Sequence, residues 1–160
     1  MAKFVYKLQN LLDIRMRMEE QAKGVFGEAM AVLNDEEQKL VTLHERLSVY
    51  EDEAHRLRQD KLSIMELREN TRAVDHLREL IKEQEIAVQK AKDNVELARH
   101  RLQTAMQDRK IQEKLKENSL EEFKKELVAT ENKETDELVS YTYGERIKKA
   151  NFNSRNAEGI

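Results

Sequence analysis

Four histidines are the side chains of this chain best suited to hold a metal ion or to move a proton: His44, His55, His76 and His100. None has a second histidine three or four residues away, the spacing that would place two ligands on one face of a helix. Glu96 and His100 could share such a face, but a metal site needs a third ligand. Since the chain has no cysteine, Cys-based metal sites and disulfides are excluded, and we expect no bound metal.

The sequence also gives no sign of a site for acid–base catalysis or for phosphate binding. Carboxylates are numerous, with 32 Asp and Glu, but long helices offer no pocket to desolvate a general acid. Gly24-x-x-Gly27 lacks the preceding strand and the lysine of a phosphate-binding loop. We therefore expect no catalytic residue, no cofactor and no enzymatic activity.

The composition favours long helices. Charged residues make up 38% of the chain and hydrophobic residues 39%, with four glycines and no proline, so the residues that make turns are scarce. Ala, Glu, Lys, Leu, Arg and Gln at helical spacing are typical of coiled coils. A net charge of −3 gives no basic surface for nucleic acid. Charges interrupt every apolar run, so we expect no membrane span, no signal peptide and a cytoplasmic location.

Two stretches carry seam residues at alternating steps of three and four, the spacing of a coiled-coil stripe. The first runs through Phe4, Leu8, Leu11, Arg15, Met18, Ala22, Phe26, Ala29, Leu33, Glu36, Leu40, Leu43, Leu47, Tyr50, Ala54 and Leu57, and the second through Leu67, Val74, Leu77, Ile81, Gln84, Val88, Ala91, Val95, Ala98, Leu102 and Ala105. The pattern predicts an all-α fold, a long antiparallel two-helix coiled-coil hairpin.

A helix start between the two stretches locates the turn. Ser63-x-x-Glu66 has the pattern of a capping box, which places the tip of the hairpin near residue 62. Ser48 and Ser119 begin the same pattern, but they lie inside predicted helix.

Folding at this tip pairs positions whose numbers sum to about 124, and the pairing matches large side chains with small ones, such as Phe26 with Ala98. The same register places Arg15 opposite Arg109. Because two arginines repel, we expect the helices to separate there.

We expect a single domain over residues 1–150, followed by a flexible tail at 151–160. Its parts are a helix at about 4–60, a turn at 61–63, a second helix at about 64–143 that Gly144 ends, and a short basic segment to 150. The second helix outruns the first, so its last apolar residues would have no partner within the chain: Leu120, Phe123, Leu127 and Leu138.

Residues 4–15, Phe-Val-Tyr-Lys-Leu-Gln-Asn-Leu-Leu-Asp-Ile-Arg, and 19–23, Glu-Glu-Gln-Ala-Lys, resemble the opening of the FliJ family of flagellar type III export proteins. Residues 77–85 and 108–117 are similar to second-helix stretches of that family. The resemblance implies an antiparallel two-helix coiled coil, similar to the central stalk of rotary ATPases. It also implies three partners: the flagellar export ATPase, whose ring the family binds and helps to assemble, the export gate in the membrane, and export chaperones.

By this resemblance we expect two interaction surfaces. One, at the open end of the hairpin, would bind the ATPase ring: Phe4, Leu8, Leu11, Leu12, Leu115, Leu120 and Phe123. The other, in the middle of the hairpin, would contact the export gate: Leu43, Tyr50, Leu77 and Leu80. The protein would then be cytoplasmic and peripheral at the inner face of the membrane through its partners.

Two alternatives stay open. One is the equivalent stalk of a virulence type III secretion system or of a rotary ATPase. The other is a structural coiled coil that self-associates through its overhang.

Overall fold

The computed structural model describes residues 2–59 and 63–157, which form two helices, α1 (Gln9–Gln59) and α2 (Ile64–Ala157). The described residues contain no strand. The prediction of an all-α helical hairpin is confirmed. The predicted tip near residue 62 lies outside the described residues.

The helix bounds differ from the predicted ones at both ends. Residues 2–6 have no regular secondary structure and 7–8 form a turn, so the predicted start at about residue 4 is wrong. The N–H of Gln9 donates to the carbonyl of Tyr6 at 3.2 Å, as the helix begins. A physical reason is the run Phe4-Val5-Tyr6, since aromatic and β-branched residues lose side-chain freedom in a helix.

The predicted end of α2 at 143 is also wrong. The helix passes through Gly144 and continues to Ala157. No glycine of the described residues adopts a positive φ, so Gly144 does not form the left-handed cap that often ends a helix. A glycine inside a helix costs only about 1 kcal/mol against alanine, which the rest of the helix can absorb. Residues 151–157 are helical and exposed, and the flexibility of 151–160 stays a prediction.

The chain divides into two compact units, and each is described by itself. We call Asp13–Lys110 the hairpin unit. We call Met1–Leu12 together with Ile111–Ile160 the terminal unit.

In the hairpin unit the buried residues of α2 form one stripe, with steps of three and four and one step of seven from Ile81 to Val88, and all of them except Asn70 were predicted as seam residues. They are 4–8% exposed: Asn70, Val74, Leu77, Ile81, Val88, Ala91, Val95 and Ala98. Their counterparts on α1, such as Leu33, Leu40 and Leu47, are half-buried. Removal of this apolar stripe from water is the main stabilising contribution.

Cross-helix contacts in the hairpin unit agree with a pair sum of about 124. The guanidinium of Arg99 lies 6.0 Å from the ring centroid of Phe26. Arg15 contacts Asp108 across the seam at 3.3 Å. The predicted register therefore describes this unit well.

Ser63 caps α2. The N–H of Glu66 donates to Ser63 Oγ at 3.4 Å, and the N–H of Leu67 donates to the Ser63 carbonyl at 3.1 Å. A hydroxyl at this position satisfies one of the free N–H groups of the first turn.

Over the described residues, neither helix contains a stretch apolar enough to span a membrane.

Candidate interaction surfaces

The sequence predicted that Arg15 and Arg109 would repel each other across the seam of the hairpin unit. The structure instead gives each of them a carboxylate partner. Arg15 donates to Asp108 at 3.3 Å, and Arg109 donates to the carboxylate of Glu19. Each arginine therefore faces a carboxylate, and the expected separation of the helices at Arg15 and Arg109 is wrong.

Glu19 holds the more buried of these two pairs. It is 5% exposed, whereas Met18, the predicted seam residue, is 48% exposed. Lys23 lies 3.6 Å from the same carboxylate. A buried carboxylate needs such partners, because the desolvation of an unpaired charge is costly. The pair with Arg109 therefore fixes the register here more than it adds stability.

In the terminal unit, the non-helical residues 2–8 lie along α2. The rings of Phe4 and Phe123 pack with their centroids 5.5 Å apart at 51°. Lys116 Nζ donates to Gln9 Oε1 at 2.7 Å. A shallow groove runs between the two segments, from Lys3–Leu8 on one wall to Ser119 and Phe123 on the other. The expectation that Phe123 has no partner within the chain is therefore wrong.

The seven residues expected to bind the ATPase ring differ in accessibility. Leu12 is 2% exposed and belongs to the core. Four others are half-buried: Phe4, Leu11, Leu120 and Phe123. Leu8 and Leu115 are 47% and 44% exposed, so within this set they offer the most apolar surface to a partner.

The four residues expected to contact the export gate lie in the hairpin unit. Leu77 is buried in the seam, Leu43 and Leu80 are half-buried, and Tyr50 is exposed. Tyr50 and Leu43 line two different grooves. The four residues therefore do not line one groove, and Tyr50 is the most accessible of them.

The Tyr50 groove lies between α1 and α2. Its floor is polar, because Asn70 Nδ2 donates to the backbone carbonyl of Tyr50 at 3.0 Å. Val49, which is 65% exposed, also lines the groove, together with Ala73 and Glu53. Sequence reasoning missed Val49, which stands one position before the seam. Its apolar side chain at a position expected to be solvated was the available signal.

The Leu43 groove is more polar. It is shared by Thr42, Arg46 and Gln84. The amide of Gln84 donates to the backbone carbonyl of Glu36 at 2.9 Å and also to its carboxylate. This polar seam contact is specific to one register, as expected of a glutamine among apolar residues.

Charged side chains on the same stretch of α1 pair with each other. The ammonium of Lys39 donates to the carboxylates of Asp35 and Glu36, with Nζ–O distances of 3.1 and 3.3 Å. These hydrogen bonds raise the pKa of Lys39 above the ordinary lysine value. Lys39 is solvent-exposed, so the pair is screened and adds little to stability.

The described residues contain no group of three or more His, Cys, Asp or Glu side chains that could hold a metal ion. Glu96, which the sequence placed near His100, instead pairs with Arg99 at 3.1 Å. The exposed faces of the helices carry apolar and charged side chains, which suit recognition of another protein.

Two long helices paired along a seam with charged and polar members define an all-α coiled-coil protein. The sequence profile of the Flagellar FliJ protein family matches residues 4–148. The chain therefore belongs to this family, as its opening residues predicted, and it is a type III export-associated protein.

A search of solved structures gives a likeness in fold. The chain is similar to CT670 of Chlamydia trachomatis, a protein described as a YscO homologue, with a TM-score of 0.53 and 22% sequence identity. The match covers 92% of this chain and 99% of that chain. At this identity the likeness shows the fold alone. A search of curated proteins found no match.

Proposed function

We propose that this protein is a component of flagellar protein export that acts as a coiled-coil stalk. It would bind the export ATPase ring, help to assemble it, connect it to the export gate in the membrane, and take part in cycling export chaperones. The observation that carries the proposal is the family match over residues 4–148, which includes most of both helices. The protein would act by binding, with no catalysis of its own.

The proposed location is the cytoplasm, at the inner face of the cell membrane through the ATPase and the gate. Because flagellum biogenesis requires export, loss of the protein would reduce motility and chemotaxis. Export of flagellar subunits into the medium is the direct measurement, with swimming in soft agar as its consequence.

The ring-binding surface would centre on the exposed pair of the terminal unit. Leu8 and Leu115 supply accessible apolar area, and burial of such area drives protein association. Phe4, Phe123 and Leu12 would support the surface from beneath by packing within the unit.

The test of the ring surface is a pull-down of the export ATPase by the full chain. The variant Leu8→Asp with Leu115→Asp places two charges in the proposed contact, and we expect at least about a tenfold loss of binding, since a desolvated charge costs more than 1.4 kcal/mol. The control is Val32→Asp with Ile86→Asp, two exposed positions of the hairpin unit with the same change in charge. Equal binding by both variants, with unchanged helical circular dichroism, would contradict the assignment.

The gate surface would centre on the Tyr50 groove. Tyrosine on an exposed apolar wall is a common anchor at protein interfaces, and the Val49 side chain beside it extends the wall. Binding to the cytoplasmic part of the gate is measured with Tyr50→Ala combined with Leu80→Ala. We expect a loss of at least about tenfold. Val41→Ala with Ile86→Ala, again at exposed positions, should bind as the wild type, and wild-type binding by the Tyr50 and Leu80 variant would exclude this surface.

A further inference from the structure

The last turns of α2 carry positive charge with no negative charge among it. Residues 146–157 contain no acidic residue and four basic ones: Arg146, Lys148, Lys149 and Arg155. All four are exposed, and within the part of the chain that the structure describes none of them has a carboxylate partner. By contrast, Lys39 of α1 is paired with Asp35. The charge of these last turns is therefore available to an anionic partner.

An exposed aromatic ring stands in the middle of this charge. Phe152 is 66% exposed. Lys148 and Lys149 precede it by four and three residues, and Arg155 follows it by three, so the three cations share its face of the helix. Arg146 stands at the side of this face. We call Phe152 with these four cations the basic face, which offers one apolar group surrounded by positive charge.

Negative charge lies further back on the same helix. Residues 131–137 contain four acids and one lysine, and Glu145, the nearest preceding acid, accepts a hydrogen bond from the Tyr141 hydroxyl at 3.1 Å. From Glu137 to Arg146 the helix rises by about 14 Å, which exceeds the screening length of about 8 Å at physiological ionic strength. An anionic surface therefore attracts the last turns of α2, and the acidic residues 131–137 oppose it only weakly when the helix is inclined to that surface.

We propose that the basic face binds the headgroup surface of a membrane that contains anionic phospholipids. The cations contact the phosphate groups, and each strengthens binding by about fivefold. Phe152 inserts between the headgroups, while the lysine stems lie along apolar surface and keep their ammonium groups in water. The contact is peripheral, since no stretch of the described helices is apolar enough to cross the bilayer.

Two other anionic partners fit the basic face less well. Single-stranded nucleic acid is held by several aromatic side chains on which successive bases stack, and Phe152 is the single ring among these cations. Fixed carboxylates on a protein are recognised best by the rigid fork of arginine, whereas Lys148 and Lys149 are point charges on flexible stems. Such charges suit headgroups that are free to move toward them.

This lipid contact goes beyond the proposed function and uses other residues. The proposed location at the membrane depends on the ATPase and the gate, and the proposed ring contact centres on Leu8 and Leu115. The basic face would add a direct contact with the bilayer. Lipid binding and ATPase binding can therefore fail separately.

The first experiment is sedimentation of the full chain with phosphatidylcholine vesicles, with or without about 30% phosphatidylglycerol, at up to about 5 mM lipid, since four cations give about millimolar affinity. We expect binding to the anionic vesicles only, and release as salt is added. Lys148→Gln with Lys149→Gln should weaken binding by about 30-fold. Lys90→Gln with Lys92→Gln, the same change of charge at exposed positions of the hairpin unit, should bind as the wild type.

The second experiment reports the position of the ring. Because the chain has no tryptophan, Phe152→Trp gives a single fluorescent reporter. We expect its emission to shift to shorter wavelength on the anionic vesicles, and brominated lipids to quench it. Leu138→Trp, at a position 70% exposed beside the acidic residues, is the control, and its emission should stay unchanged.

Four results would overturn the lipid contact: no binding to either kind of vesicle, equal binding to both, wild-type binding by the variant of Lys148 and Lys149, or an unchanged emission of Phe152→Trp. If the wild type ignored vesicles but bound a single-stranded oligonucleotide, and the same variant lost that binding, the basic face would belong to nucleic acid. The pull-down of the export ATPase gives an independent readout. The variant of Lys148 and Lys149 should retain the ATPase as the wild type does.

Discussion

The two units use the same helical repeat and reach different degrees of burial. In the hairpin unit, Ile81 and Ala91 are 6% and 4% exposed. Among the described residues of the terminal unit, Leu12 alone is buried, while Leu138 and Tyr141 are 70% and 69% exposed. The difference lies in what faces the stripe, since α1 covers the stripe of α2 in the hairpin unit.

This contrast separates stability from recognition. A stripe that another helix covers contributes to the free energy of folding, and a stripe in solvent contributes to binding when a partner arrives. The hairpin unit also carries polar seam contacts, such as Gln84 with Glu36 and Asn70 with Tyr50, which are satisfied in one register only. The terminal unit offers apolar surface whose partner still has to be supplied.

The largest expected effect is the loss of a buried seam residue in the hairpin unit. Ile81→Ala removes buried apolar volume and should reduce the free energy of unfolding by about 2–3 kcal/mol. Ile86→Ala, at a position 58% exposed on the same helix, should change it by less than about 0.5 kcal/mol. Urea unfolding followed by circular dichroism measures both. Equal destabilisation by the two variants would contradict the seam.

The next effect concerns the charged pair of the seam. Glu19→Ala leaves Arg109, whose side chain is 20% exposed, without the carboxylate it faces, and should cost about 1–3 kcal/mol. Glu20→Ala is the control, since the Glu20 side chain is 75% exposed and its loss should cost less than about 0.5 kcal/mol. The same urea unfolding compares them, and a neutral Glu19→Ala would mean that the pair is worth no more than a surface ion pair.

A smaller effect, limited to the terminal unit, is expected from Phe4→Ala. The aromatic pair with Phe123 contributes about 1 kcal/mol, so the hydrogen-bonded amides of Gln9 and Leu12 should exchange about fivefold faster in this variant. Val5→Ala, at a position 74% exposed, should leave exchange unchanged. Hydrogen exchange read by mass spectrometry distinguishes the two units, and equal acceleration by Phe4→Ala and Val5→Ala would contradict the role of the aromatic contact.

From Val74 onward the seam of α2 could be predicted because its residues keep steps of three and four, whereas the buried Asn70 is polar and is not in the predicted set. The seam near Glu19 could not, because an apolar Met18 stands beside it and hydrophobicity favours the wrong residue. The deciding partner, Arg109, is distant in sequence, and the buried carboxylate of Glu19 needs a cation beside it more than the seam needs a methionine.

The N-terminal segment and the end of α2 differ from the prediction for a related reason. Phe4 fits the helical repeat, but its contact with Phe123 needs no helix. Gly144 is a helix-ending residue by local preference, and its modest cost inside a helix allowed α2 to continue. That these residues bind partners stays a prediction. Among them Tyr50 is exposed and lines a groove, whereas Leu12 and Leu77 are buried.

The smallest expected effect tests the point at which the covered stripe of α2 begins. Ser63 and Ser48 have the same capping pattern in the sequence, with a glutamate three residues later. In the structure Ser63 Oγ accepts the Glu66 N–H, whereas Ser48 lies inside α1. Ser63→Ala should therefore destabilise the hairpin unit by about 0.5–1 kcal/mol. Ser48→Ala should be neutral or slightly stabilising, because alanine is the better helix former.

The opposite signs make this pair of variants informative despite its size. The same side-chain change is made in two motifs that share the Ser-x-x-Glu pattern, so the expected difference comes mainly from the position of each serine in the fold. Thermal unfolding of both variants in one series gives the comparison. If Ser48→Ala destabilised the protein and Ser63→Ala did not, a helix would begin at Ser48, and the pairing that covers the stripe of α2 would have to be reassigned.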